Sequence, residues 1–303
     1  MQIFHTLQSD HAETALALGL FDGVHLAHAK VLRSAVEAAD GGLVPAVLTF
    51  RLAGEGSGAL LPNKPDMKLI FTEEQRLERM ETQGIRRAYL PVFSDIMPLT
   101  AEDFLCSLRD KLHVRALACG EDYTFGSGAH GTVALLRSFC KDSGIALYVT
   151  PPVQLEGVAV SSTAIRESLA LGDIPRANRF LGSEYDILGE VLPGRHLGNT
   201  LGFPTLNQRF LSNQAVPCFG VYASKTTIDD RVWDSITNIG TKPTIPGERA
   251  PLAETHLLGA EGDFYGKTAR VRLLRMMRPE MKFNDIEELK RQVLEDIETR
   301  AKM

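Results

Sequence analysis

Hydrophobic periodicity changes character once along this 303-residue chain, and the change constrains the fold more than any motif does. In the first half, short apolar runs alternate with helical patterns. Ala15–Gly19 is such a run, a turn follows over Leu20–Val24, and Ala27, Val31, Ala35 and Ala39 then recur every four residues beside Leu32 and Val36. Leu43–Phe50 reads as a buried strand, followed by a loop rich in glycine and proline over Leu52–Pro65. Helices are expected over Glu73–Gly84, Thr100–Leu112 (capped by Thr100) and Thr132–Gly144, with strands over Ala88–Pro91, Val114–Cys119 and Ala146–Val149. That alternation predicts an α/β domain on a parallel sheet.

From Tyr185 the helical period stops. Tyr185–Val191, Gly220–Thr227 and Arg270–Met276 are β-type runs separated by glycine, proline and asparagine, as in an antiparallel barrel or sandwich. One helix closes the chain, with an apolar stripe of Ile286, Leu289, Val293 and Ile297 and a capping box of Asp285 and Glu288. The switch of period places a domain boundary near 182–184, giving domains over residues 1–183 and 184–303.

Composition narrows the function classes. The hydrophobic content of 44% supports real cores, and a net charge of −5 without a run of like charge argues against nucleic-acid and anionic-membrane partners. Cys106, Cys119, Cys140 and Cys218 form no Cys-x-x-Cys pair, as expected of free thiols in a reducing cytoplasm. Met1–Asp10 lacks the basic and apolar regions of a signal peptide, and no apolar run approaches the about 20 residues of a membrane span. The sequence says nothing of oligomeric state.

Two constellations carry chemistry. Gly19-Leu20-Phe21-Asp22-Gly23-Val24-His25-Leu26-Ala27-His28 lies where a strand turns into a helix, so backbone N–H groups and the helix dipole converge on an anion site. His25 and His28, three apart, share one face of the first turn and can hold phosphate oxygens or the charge building on a leaving pyrophosphate. Two surface histidines on an ordinary helix would give the same spacing, and zinc would need a third ligand type that is not nearby. The second constellation is Gly202-Phe203-Pro204-Thr205-Leu206-Asn207. Its threonine hydroxyl and asparagine carbonyl lie on one side of an extended segment and suit Mg²⁺, while Gly194, Gly198 and Gly202 let backbone approach a phosphate chain. A plain barrel turn is the alternative, and the chain has no Walker A loop.

Gly-x-Phe-Asp-Gly-Val-His-x-x-His resembles the signature of bacterial bifunctional riboflavin kinase/FMN adenylyltransferases. Gly120–Gly126 (Gly-Glu-Asp-Tyr-Thr-Phe-Gly) is similar to that family's flavin- and nucleotide-site loop, and Ser161-Ser162-Thr163-Ala164-Ile165-Arg166 to its phosphate-binding motif. Gly202–Asn207 resembles the family's Gly-Phe-Pro-Thr-Ala-Asn. Further matches follow in order at Pro217–Tyr222, Asn238–Thr244, Glu254–Leu258, Phe264–Gly266 and Arg278–Phe283.

The resemblance implies a Rossmann-like nucleotidyltransferase domain followed by a small antiparallel β-barrel kinase domain with a C-terminal helix. It implies riboflavin, FMN, FAD and ATP/ADP as ligands, with Mg²⁺ as cofactor and ATP as co-substrate. It assigns Glu254 as catalytic base, with His25 and His28 as the catalytic pair of adenylyl transfer. Nucleotide and phosphate contacts fall to Gly19, Phe21, Asp22, Gly23, Ser161, Ser162, Thr163, Arg166, Gly198, Gly202 and Pro204. Flavin contacts fall to Asp122, Phe125, Gly126 and Arg278, and metal ligation to Thr205 and Asn207. His256, two residues beyond Glu254, is expected to be structural. The chain departs from the pattern at Ala27 (glycine in the family), at Arg51-Leu52-Ala53 (Asp-Pro-His), at Asn199 (arginine) and at Leu206 (alanine). A kinase with a lost or altered adenylyl transfer and a flavin- or nucleotide-sensing binding protein are the alternatives on this scaffold.

Overall fold

The computed structural model describes residues 1–8, 11–51, 67–193, 203–245 and 248–303, with the side chains of 242–249 excepted. The loop expected over Leu52–Pro65, and Gly194, Arg195, Gly198, Asn199 and Gly202, lie outside the described residues. Two compact units divide the chain, Met1–Ser162 and Thr163–Met303.

In the first unit the strands are β1 (Gln2–Phe4), β2 (Thr14–Leu18), β3 (Val44–Leu48), β4 (Arg87–Tyr89), β5 (Val114–Gly120) and β6 (Ala146–Thr150). They form one parallel sheet in the order β1-β4-β3-β2-β5-β6. The helices are α1 (Leu26–Ala38), α2 (Glu73–Thr82), α3 (Phe93–Ile96), α4 (Ala101–Leu112) and α5 (Val133–Ser143). Strand alternation splits the core into two layers. Leu16 and Leu18 face Phe104, Leu108 and Leu136, while Ala17 and Val47 face Val31, Leu32, Ala35 and Met80. Leu32 is fully buried, so Leu32→Ala would cost about 2–5 kcal/mol. Thr100 caps its helix as the sequence suggests, and Thr132 and Thr72 cap theirs as well, Thr72 within a complete capping box with Gln75. The strand order reverses between β2 and β5, and the carboxyl ends of those strands flank the crevice where open parallel sheets bind ligands. A small hairpin, β7 (Gln154–Leu155) with β8 (Val158–Ala159), precedes the boundary.

Helix α6 (Ser162–Ala170) spans the division and α7 (Ile174–Leu181) follows. The second unit then builds a six-stranded antiparallel sheet from β9 (Tyr185–Glu190), β10 (Thr205–Arg209), β11 (Gly220–Ile228), β12 (Arg231–Ile245), β13 (Glu248–Leu257) and β14 (Thr268–Pro279), ordered β10-β13-β12-β11-β14-β9. Leu192, just past β9, donates its N–H to Asn207 on β10, and the Gln208 amide donates to Gly189. The two end strands are thereby joined, and the alternative left open by the sequence resolves as a barrel. Its interior is apolar at one end, where Val191, Leu206, Ile228 and Leu257 meet. A hydroxyl ladder crosses the rest: Thr226–Ser235–Ser224–Thr237–Thr255, with each link 2.8–3.0 Å. Every member has a partner, which is what lets such residues be buried without a desolvation penalty.

The closing helix, α8 (Ile286–Ala301), differs from its sequence reading. Ile286, first of the expected stripe, is exposed, while Asp296 and Arg300 are buried. Asp296 takes the Arg278 guanidinium of β14, and Arg300 reaches Asp234 and the Ser224 carbonyl. Charge pairs at i and i+4 therefore fix the helix. The cap is also altered: Asp285 accepts from Glu288 N–H, but Glu288 returns to Asn284 N–H instead of Asp285.

Candidate active sites

The first site grows from the carboxyl end of β2. Gly19 leaves the sheet with its N–H on the Leu48 carbonyl, and Phe21, Gly23 and Val24 all take positive φ (52°, 89° and 44°). A side chain at Gly23 would meet Ile70 Cδ1 at 2.9 Å, so the tight turn needs glycine on two counts. His25 becomes the N-cap of α1, its Nδ1 accepting from His28 N–H at 3.3 Å. The two imidazoles stack with centroids 3.6 Å apart, and the Phe21 ring packs edge-on against His28. His28 Nδ1 is buried with no hydrogen-bond partner. Burial above all, then His25 and Arg76, holds its pKa well below the ordinary range, so His28 is neutral at pH 7.

Asp22 faces inward. Its carboxylate accepts from Ile70 N–H at 3.0 Å, and its carbonyl accepts the Ser162 hydroxyl at 2.7 Å. The turn is thus locked to two other segments of the same unit. Ser161 is half-buried; Thr163 is exposed and Arg166 half-buried on the first turns of α6. Ala27 occupies the first turn of α1, and Arg51 bridges to Val92 beside the end of β3.

Across the switch point, β5 ends at Gly120 and delivers Asp122. Phe125 is a core residue, its ring near those of Phe104 (5.5 Å) and Tyr123 (5.8 Å). Gly126, at φ 73°, sits so close to α4 that a Cβ would lie 2.7 Å from the Ala101 backbone. Of the three expected flavin contacts in this loop, two therefore shape it from within. Sequence reasoning missed Arg76 and Thr49. Arg76 is 1% exposed and donates to the Leu20 carbonyl (2.5 Å) and the Thr49 hydroxyl (2.6 Å), fixing the start of the turn. The available signal was a cation four residues before buried Met80, on the core face of α2.

The second site lies on the outer face of the barrel. Alternation turns Leu206 and Thr255 inward, and the register pairs Asn207 with Glu254 and Glu254 with Asn238. Directly paired residues share a face, so these three stand side by side on β10, β13 and β12, with Thr205 opposite His256 one step along. The row continues through Val221 to Arg278. Three strand spacings separate Glu254 from Arg278, about 14 Å. The Asn207 amide nitrogen donates to the Thr205 carbonyl at 3.4 Å, which leaves the carbonyl oxygen as the atom for ligation. His256 holds the Pro204 carbonyl at 2.9 Å and packs edge-on with Phe203, a structural role as expected. Arg278 makes three hydrogen bonds to Asp296, at 2.8–3.1 Å. The donors of this face are hard oxygens, and among the described residues no cluster of three or more His, Cys, Asp or Glu exists to hold a softer metal.

Comparison with known proteins gives consistent matches. A model of FAD synthetases matches residues 7–164, and a model of riboflavin kinases matches residues 181–303. The Haemophilus influenzae bifunctional riboflavin kinase/FMN adenylyltransferase is 35% identical over 94% of this chain and 92% of its own. The Bacillus subtilis protein of the same name is 32% identical over 96% and 93%. A crystal structure from Streptococcus pneumoniae, named as a macrolide-efflux protein, superposes with a TM-score of 0.87 at 28% identity, covering 99% of this chain and 98% of that one. Among the described residues no helix of this chain is long and apolar enough to cross a membrane.

Proposed function

Because the chain belongs to the family of bifunctional riboflavin kinases/FMN adenylyltransferases, we propose how its residues divide the two reactions. It phosphorylates riboflavin to FMN with ATP, and it adenylylates FMN to FAD with release of pyrophosphate. The functional division proposed is residues 1–183 for adenylyl transfer and 184–303 for the kinase.

The pairing of Asn207 with Glu254 carries the kinase assignment. Glu254 serves as the base that takes the proton from the riboflavin 5′-hydroxyl as that oxygen attacks the γ-phosphorus. Thr205 and Asn207 would hold Mg²⁺, which supplies charge neutralisation along the phosphate chain when bound. Gly198, Gly202 and Pro204 belong to the phosphate-binding segment. A flavin whose hydroxyl end meets Glu254 directs its ring system toward Arg278, which Asp296 already orients.

In the other reaction, His25 and the neutral imidazole of His28 donate to phosphate oxygens, and the turn Gly19–Gly23 shapes the backbone cradle. Ser161, Ser162, Thr163 and Arg166 bind nucleotide phosphates, and Asp122 contacts the flavin in a loop that Phe125 and Gly126 hold in shape. Mg²⁺ accompanies ATP here as well. The four unpaired cysteines support a cytoplasmic setting.

Chromatography of products tests the division. Glu254→Gln should make no FMN from riboflavin yet still convert supplied FMN to FAD, and His28→Asn should do the reverse. Loss of both activities in either variant would overturn it.

A further inference from the structure

Three buried nitrogens at the adenylyl-transfer site have no hydrogen-bond partner: His28 Nδ1, Arg76 Nε and Arg76 Nη1. Arg76 uses only Nη2 in the fold, on the Leu20 carbonyl and the Thr49 hydroxyl. A guanidinium with two idle donors is costly to bury. Asp22 and Glu73 offset it only in part: burial still dominates, lowering the Arg76 pKa to about 10. Arg76 and His28 are also close enough for the cation to disfavour a proton on the imidazole. Unspent donors and positive charge therefore gather beneath the turn that follows β2, near the carboxyl end of a parallel sheet, the arrangement that a polyanion with many acceptor oxygens would satisfy.

We propose that Arg76 is a phosphate-contacting residue of the adenylyl-transfer site, binding through Nε and Nη1 the phosphate chain of ATP that leaves as pyrophosphate. The inference rests on placing that reaction at Gly19–His28. In the reaction an FMN phosphate oxygen forms the new bond to the α-phosphorus, the α–β bridging bond breaks, and the electron pair and negative charge stay with pyrophosphate. Arg76 stabilises that charge, and its Nη2 contacts meanwhile hold the turn carrying both histidines. A bound phosphate chain would also favour a proton on His28, which burial, His25 and Arg76 disfavour.

The test is titration of the full chain with inorganic pyrophosphate, alongside the KM for ATP in FAD synthesis from supplied FMN. Far-ultraviolet circular dichroism and the thermal melt of the same preparation report that the unit carrying Arg76 is folded. Arg76→Gln should raise the pyrophosphate Kd and the KM for ATP by about tenfold or more, the worth of a hydrogen bond to a charged group. Arg76→Lys keeps the charge but not the fork, and should raise both by about threefold to tenfold. A folded Arg76→Gln that binds pyrophosphate as tightly as the parent would overturn the proposal. Should Arg76→Gln not fold, unchanged affinity in Arg76→Lys would do so. If the parent chain binds pyrophosphate but makes no FAD, the placement of the reaction fails, and the Arg76 titration still decides the phosphate contact on its own.

Discussion

Replacing Asp296 with asparagine keeps its size and removes the charge facing Arg278. The parent pair is largely shielded, at 15% and 8% side-chain exposure, with three hydrogen bonds between the partners. Breaking one side of such a pair leaves a buried cation uncompensated, which costs about 3–5 kcal/mol. Asparagine can still accept one hydrogen bond, so about 3 kcal/mol is expected, lowering Tm by about 10 °C for a unit of this size. The chain has one tryptophan, Trp233 on β12, packed edge-on against Phe264 in the same unit. Its fluorescence during urea unfolding therefore reports on the barrel alone. Arg278→Met should cost less, because it removes the cation along with its need for a partner, and the double variant should recover about 2 kcal/mol relative to additivity. A loss under about 1 kcal/mol in Asp296→Asn, with no coupling to Arg278, would refute the reasoning that ionic anchoring fixes α8.

Glu254→Gln should lower kcat for riboflavin phosphorylation by about 10²–10⁴-fold, read by product chromatography, with FAD synthesis from FMN retained. Gly126→Ala should destabilise the first unit more than Gly23→Ala, because its Cβ meets the Ala101 backbone at 2.7 Å, whereas that of Gly23 meets the mobile end of Ile70 at 2.9 Å; circular dichroism melts would rank them. His28 is held below its unfolded value near 6.5, so the unfolded chain gains a proton first as pH falls. Stability from this group is therefore full above about pH 6.5 and declines below it, by up to about 1.4 kcal/mol per pH unit, until the folded pKa is reached. His28→Asn should abolish that part of the decline in melts at pH 7.5 and 5.5, and equal slopes in parent and variant would refute it.

Local pattern fixed much of the first unit. The spacing of Val31, Leu32 and Ala35 defines the buried face of α1, and Thr100 and Thr132 cap helices whose ends match their sequence boundaries. The histidine pair was equally legible, because a strand, a glycine turn and a helix start are all local events. Helix α8 was misread because its stripe of Leu289, Val293 and Ile297 is only half-buried, while the residues that anchor it, Asp296 and Arg300, look like ordinary surface charges until their partners 18 and 66 residues away are known. β12 and β13 were not delimited, since their alternation is carried by serine and threonine inside the barrel instead of apolar residues.

By itself the sequence determined that a parallel-sheet unit precedes a β-rich one, and that His25 and His28 come together where a strand turns into a helix. Both follow from side-chain period and backbone freedom, properties of neighbouring residues. Tertiary structure alone decided that Asn207, Glu254 and Asn238 stand in one row, since strand register brings together residues 16 to 47 positions apart along the chain. It alone decided that Arg76 comes under the histidine turn with two donors unspent. Burial and pairing across the fold set the energy of a charge, and no window of sequence contains them.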